Sequence, residues 1–460
     1  MESQKRIPIA VVAIARTIGL DRAVAFSVTA RLWQLIAATG TVFLMTQFFS
    51  PQLQGFYYTI VSLLAIQGFL DLGLSGIIVL LASHEAAHLV AINGEISGPQ
   101  QSRGRLAEIY WFGCRWYSWC AGGFLLLITP LGIHLLSDGL DLNRIWHQQW
   151  TLPWVVCVAL NSVSMVLLPR IALLEGCNQV IAVNRMRLSQ SVAGSIFVWM
   201  SIALGFGLWT LVVSNLVRLC FECRIVFREY RLLLNGLAAT PDEGRINWRE
   251  EIWPLQWRLA IQSVGGYFAT WFIVPVTFRF HGDVAAGQIG LTWQLLTTIQ
   301  SASLAWIQTR LPRFGSLLAS QQRKQLETEM LRATVLSQAV FLGAMGGFLL
   351  AFYGAMLAGL DLTDRFVAVS TILIFAMGMV GWNVSIAEQS YVRLFKKDPF
   401  LMISVLSSLL VAAAIWHFGS TSGPFGLSIA YSSIAWVYAI PVSTLILIRH
   451  RRIPSGREWS

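Results

Sequence analysis

Residues 55–83 read Gly-Phe-Tyr-Tyr-Thr-Ile-Val-Ser-Leu-Leu-Ala-Ile-Gln-Gly-Phe-Leu-Asp-Leu-Gly-Leu-Ser-Gly-Ile-Ile-Val-Leu-Leu-Ala-Ser, and this stretch decides the fold class. A helix of roughly 20 apolar residues at 1.5 Å each covers the hydrocarbon core of a bilayer, and this run is long enough to do so. It nevertheless carries Gln67, Asp71 and Ser75 at i, i+4 and i+8, one polar stripe along one side of a continuous helix. A carboxylate at mid-span costs about 3 kcal/mol on the insertion scale, so Asp71 is expected to face protein or water. Two readings follow: a carboxyl satisfied by a neighbouring helix, or part of a transport path or coupling site.

The rest of the chain agrees with a membrane solvent. Of 460 residues, 55% are hydrophobic and only 12% charged, with a mean hydropathy of +0.62. That composition excludes an ordinary soluble domain. Nineteen Trp and ten Tyr suit the two interfacial belts. The net charge of +10 is scattered between apolar spans, which points to membrane topology and not to nucleic acid. Lys5-Arg6 followed by the short apolar run to Ala15, broken by Arg16, is expected to form an uncleaved interfacial helix.

Hydropathy places twelve spans at 27–48, 55–82, 109–135, 153–174, 189–205, 207–227, 256–278, 284–308, 334–356, 366–387, 399–417 and 425–448. With both termini cytoplasmic, 25 Lys and Arg fall in inner segments against Arg144, Arg279 and Arg365 in outer ones. The positive-inside rule fixes that orientation. Outer loops are short, the longest spanning 136–152, which leaves no room for an extracytoplasmic domain. The polar break at 234–255 divides the chain into an N-terminal six-helix bundle, 1–233, and a C-terminal one, 256–460.

The halves echo one another. Gly55 with Leu63-Leu64 matches Gly287 with Leu295-Leu296, Arg170 and Glu175 match Asn383 and Glu388, and Phe206-Gly207-Leu208 matches Phe425-Gly426-Leu427. An even number of spans per half makes the repeats parallel, related by a pseudo-two-fold along the membrane normal. The expectation is an all-α polytopic protein of about twelve helices in two bundles around a central cavity.

The run from Ser50 to Ser83 resembles the second-helix region of polysaccharide and O-antigen flippases, within the multidrug/oligosaccharidyl-lipid/polysaccharide exporter superfamily. The shared features are a turn ending in Gly-x-Tyr, a helix ending in Asp-Leu-Gly-Leu, and Glu175-Gly176 after the fourth helix. The resemblance implies a carrier, not an enzyme, without a cofactor. Its substrate would be a polyprenyl-diphosphate-linked oligosaccharide crossing the bacterial plasma membrane. Membrane lipids and other polysaccharide-synthesis proteins would be its partners. The alternatives are a small-molecule or drug exporter of the same superfamily, or a membrane-embedded enzyme of envelope synthesis.

Arginine inside a span marks a cavity, because its guanidinium stays charged and must find partners. Arg31, Arg115 and Arg170 form a candidate diphosphate clamp, since planar forks match phosphate oxygens in pairs; snorkelling to headgroups competes, most easily for Arg115. Gln34 and Gln294 lie on polar stripes suited to sugar hydroxyls. Gln67, Asp71, Glu175 and Glu388 are the candidate coupling or gating groups.

His84-Glu85-Ala86-Ala87-His88 is an HExxH, which on a helix binds zinc with the Glu as general base. No third ligand follows at zincin spacing, so a capping or headgroup-contacting role is preferred and no metal is expected. Cys220 and Cys223 form a CxxC whose one nearby companion in sequence is Cys177, and free thiols are expected. No Walker A pattern occurs, so coupling to an ion gradient or the membrane potential is expected in place of ATP.

Overall fold

The computed structural model describes residues 22–92, 95–137, 144–240, 247–359, 363–395 and 400–451. The interfacial helix expected over Ile7 to Ala15 lies outside them. Seventeen helices follow in order: α1 (Arg22–Phe48), α2 (Pro51–Leu64), α3 (Ile66–Leu70), α4 (Leu74–Ala86), α5 (Gln100–Ser137), α6 (Arg144–Gly176), α7 (Val180–Ala203), α8 (Trp209–Arg224), α9 (Arg231–Ala238), α10 (Trp253–Thr270), α11 (Ile273–Gln308), α12 (Leu311–Ala319), α13 (Arg323–Leu357), α14 (Val369–Arg393), α15 (Leu401–Thr421), α16 (Gly423–Ser433) and α17 (Ile440–Arg451). Among the described residues the only strands are β1 (Val90–Ile92) and β2 (Glu95–Ser97), one antiparallel hairpin. Each of the twelve spans read from the sequence coincides with a helix or a broken helix. Eight helical segments are long and apolar enough to cross a membrane among the described residues.

Three local departures have physical causes. The second span is not one helix: Leu72 and Gly73 adopt φ of 49° and 71°, the left-handed region, which ends α3 before α4 begins. Gln67, Asp71 and Ser75 therefore do not form one continuous helical stripe. Spans seven and eight are joined without a loop; a kink at Gly282, φ 86°, turns the chain, and Asp283 Oδ1 accepts from the Val284 N–H at 2.7 Å. The outer loop expected at 136–152 is shorter, because α6 begins at Arg144.

The helices cluster into two compact units, Met1–Thr41 with Gly73–Leu125 and Ala159–Gln256, and Val42–Leu72 with Leu126–Val158 and Trp257–Ser460. The break at 234–255 falls inside the first unit's last segment. In that unit α1 meets α7 through Trp33, whose Nε1 donates to Ser195 Oγ at 3.2 Å, and Trp199, whose Nε1 donates to Thr41 Oγ1 at 3.0 Å. Gly176 lets α6 lie on α4, since a Cβ there would meet the Ala82 methyl at 2.5 Å.

The second unit is built on α2 against α11. A Cβ on Gly55 would stand 1.9 Å from the Asp283 carbonyl oxygen, and one on Gly287 would stand 2.9 Å from the Gly55 nitrogen and 3.1 Å from the Pro51 carbonyl oxygen. Gly290 is likewise closed off by Tyr58 Cβ at 2.5 Å. Pro51 is offset from Asp283 as Gly55 is from Gly287 and Tyr58 from Gly290. These contacts are reciprocal, as a two-fold relation between the helices requires, and they join the glycines matched between the halves. Buried Gln54 locks the seam, its Nε2 donating to the Gly287 carbonyl at 2.9 Å and the Arg365 carbonyl at 3.1 Å. Phe56 fills the space beside it, 5.2 Å from Phe278 and 6.1 Å from Trp150, centroid to centroid.

Backbone on the far side cannot yield as a flexible side chain would, so overpacking here is expected to cost about 1–3 kcal/mol or more. Gly55→Ala and Gly287→Ala should each lower the thermal midpoint of the purified protein, whereas Gly346→Ala, with nothing within 4 Å of the new methyl, should not. Equal midpoints in all three variants would show that the seam opens without cost.

Candidate functional site

The HExxH does not form a two-turn helical pair. α4 ends at Ala86 with Ala87 as its cap, so His88 lies in the turn that follows, and both histidines are exposed. Glu85 is engaged otherwise: its Oε1 accepts from Arg105 Nε at 2.8 Å, while Arg105 Nη2 reaches Glu251 Oε2 at 2.5 Å. One guanidinium fork thus ties the end of α4, the start of α5 and the π-helical turn Trp248–Ile252. Among the described residues no group of three or more His, Cys, Asp or Glu is placed to hold a metal ion. Cys177, Cys220 and Cys223 are free thiols, and burial pushes the Cys177 thiol up to about 12, which keeps it protonated and a poor ligand.

The arginines part company. Along α5, Tyr110, Cys114 and Tyr117 form the buried face and Trp111, Arg115 and Trp119 the exposed one. Arg170 on α6 belongs to the buried side: half-buried, it holds the Val166 carbonyl through Nη1 at 2.6 Å and lies 5.7 Å over the Tyr110 ring. Among the described residues no carboxylate pairs with it. Arg115 is on the other side of α5, so the structure does not bring these two together. The Arg31 side chain lies outside the described residues; Gln34 is exposed on α1. Gln294, in the second unit, is exposed, and its carbonyl accepts from Thr298 Oγ1 at 2.6 Å.

The coupling candidates fall into two kinds. Gln67 and Asp71 are half-buried and precede the helix break, with the Asp71 N–H bonded to the Gln67 carbonyl at 3.2 Å. Glu175 is paired with Arg187 Nη1 at 2.5 Å. Glu388 accepts from two hydroxyls on α17, Ser443 Oγ and Thr444 Oγ1, the latter at 2.8 Å.

Sequence reasoning missed Glu222, the most buried carboxylate described, at 5% exposure. It accepts from Arg218 Nε at 2.9 Å and from Ser164 Oγ on α6, one turn from the Asn161–Asn215 bond of 3.1 Å. The signal was the i, i+4 spacing of Arg218 and Glu222 inside a span, which marks a self-neutralised pair and not an interfacial arginine. A hydroxyl–carboxylate bond joins the fourth and sixth spans in one half and the tenth and twelfth in the other.

A tether and a zincin respond differently to substitution. Glu85→Ala should lower thermal stability and make it less salt-sensitive, because it removes a half-exposed charge pair. His84→Ala and His88→Ala should leave stability and metal content unchanged. Stoichiometric zinc in the purified protein, lost in all three variants, would restore the metal reading.

No family model matches the chain, and no curated protein matches it in sequence. Solved structures do match. The inward-facing conformation of a multidrug-resistance MATE family transporter of the MOP superfamily aligns over 92% of this chain and 96% of its own, at a TM-score of 0.68 and 12% identity. The lipid II flippase MurJ, in its inward closed conformation, aligns over 93% and 87%, at 0.61 and 13%. The MATE multidrug transporter DinF-BH in complex with R6G aligns over 98% of both, at 0.59 and 15%. At these identities the likeness is one of architecture, and the chain has the twelve-helix fold of these membrane transporters.

Proposed function

We propose that the protein is a flippase of the polysaccharide type. It would move a polyprenyl-diphosphate-linked oligosaccharide from the cytoplasmic to the outer face of the bacterial plasma membrane. Transport would proceed by alternating access of two six-helix bundles, 1–233 and 256–460, about the linker 234–255, with both termini cytoplasmic. The observation that carries this reading is Arg170, a half-buried cation at span depth that meets the Val166 carbonyl and Tyr110 and, among the described residues, no carboxylate. An arginine left without a carboxylate in a membrane protein suits an anionic ligand that arrives and leaves. Arg31 and Gln34 on α1 would complete the entry side.

The break at Leu72–Gly73 supports a transport site nearby, because unwound helices at membrane depth occur where backbone lines a protein-enclosed or watery cavity. Asp71 beside it is the coupling group we favour, ahead of Glu175 and Glu388, because it adjoins the break. A fold shared with a lipid II flippase is compatible with this substrate class. The second reading, export of small molecules, is favoured by the likeness to multidrug transporters. The arginine set separates the two, since it repels a cationic drug and attracts a diphosphate. Neither reading requires an enzyme active site.

Removing one partner from a desolvated, hydrogen-bonded charge pair costs about 2–5 kcal/mol, tens-fold or more in affinity. In proteoliposomes holding a polyprenyl-diphosphate oligosaccharide, Arg170→Ala and Arg31→Ala should nearly abolish appearance of the glycan on the opposite face. The lysine variants should retain part of it, having the charge without the fork. Wild-type protein that fails to move the glycan but expels a cationic dye would establish the exporter reading instead.

A further inference from the structure

The sixth span ends in a surface that the transport reading does not use. α8 closes at Arg224 and runs into a π-helical turn, Ile225–Glu229, before Tyr230 leaves the helical conformation at φ −116° and α9 begins at Arg231. Ile225 and Val226 are buried, and so are Leu233, Leu234 and Leu237 of α9. Between these two buried sets the side chains turn outward: Phe227 is 57% exposed, Leu232 69%, and Arg228 and Arg231 are exposed with them. The turn is pinned from both sides. Tyr230 Oη donates to Gln179 Oε1 at 3.0 Å, and Glu229 accepts from Arg224 Nε at 2.9 Å and lies 3.9 Å from Arg185 Nη2. Two arginines thus share the turn's one carboxylate, whereas Arg228 and Arg231 make no ion pair or hydrogen bond with any described residue.

We propose that this strip binds a phospholipid with a net-anionic headgroup. Two guanidinia beside two large apolar side chains, at the end of a membrane-spanning helix, are the residue mix of a segment lying in the headgroup layer. The Arg228 and Arg231 forks match the lipid phosphate, and Phe227 and Leu232 lodge among the upper acyl chains. A zwitterionic headgroup brings its own ammonium to the phosphate, and two arginines without a carboxylate repel it. By the positive-inside count, the leaflet involved is the cytoplasmic one. The inference is independent of which substrate is transported.

Hydrogen–deuterium exchange over residues 225–238 reads the strip directly, in full-length protein held in nanodiscs of phosphatidylethanolamine alone or mixed with an equal part of phosphatidylglycerol. Wild type should exchange more slowly there when phosphatidylglycerol is present. Each arginine at an anionic surface contributes about fivefold in binding, so Arg228→Ala combined with Arg231→Ala should erase the slowing. The corresponding pair of lysine substitutions should keep most of it. A charge-matched control on α13, Lys324→Ala combined with Arg332→Ala, should leave it intact. The proposal is overturned by equal exchange of wild type in the two membranes, or by slowing that survives in the alanine pair. Loss of the slowing in the control, or its reproduction by inorganic phosphate over phosphatidylethanolamine alone, overturns it equally.

Discussion

Lipid offers no hydrogen bonds, so a charge or a broken helix at membrane depth must be answered by the protein itself. The polar anatomy described above follows from that constraint. Glu222 is held by Arg218 and Ser164, Glu388 by Ser443 and Thr444, and Glu175 by Arg187. Arg170 is the departure, answered by a carbonyl and a ring face. Among the described residues no carboxylate closes its circuit. The same constraint makes the break at Leu72–Gly73 informative, since left-handed backbone at a non-glycine costs about 1–2 kcal/mol and persists only where surroundings enforce it.

Much of the fold was legible because span length and hydrophobicity are dictated by the bilayer. Twelve runs could be placed to within a few residues from their apolar length alone, and the glycine match at 55 and 287 marked residues that do meet. Internal breaks were less legible. Nothing in the hydropathy of Phe-Leu-Asp-Leu-Gly-Leu distinguishes a continuous helix from one that turns at Leu72, because the backbone angle is set by what packs around it. The joining of spans seven and eight through Gly282 was hidden for the opposite reason: Arg279 and His281 read as a polar loop, whereas the chain needs only one permissive residue to turn.

The site was harder to read than the fold. Sequence spacing put Arg115 and Arg170 in the same half and at similar depth, but it did not say which face of α5 each would meet. The buried row Tyr110, Cys114, Tyr117 decides that, and only packing reveals it. The HExxH pentapeptide misled in another way. Its histidines straddle the end of α4, both exposed, and the glutamate between them is taken by Arg105. Glu222 escaped notice because its burial depends on α6, whose Ser164 hydroxyl it meets across the bundle and not along its own helix.

The seam between α2 and α11 has the form of an isologous contact. Gly55 lies against Asp283 as Gly287 lies against Pro51, and Asp283 and Pro51 hold equivalent places in the two halves. Such self-complementarity is what a two-fold homodimer requires of a single surface. Within one chain each side of the contact changes alone, so a substitution at Gly55 or Gly287 has to be met by the other side and the two halves are constrained at this seam to diverge together.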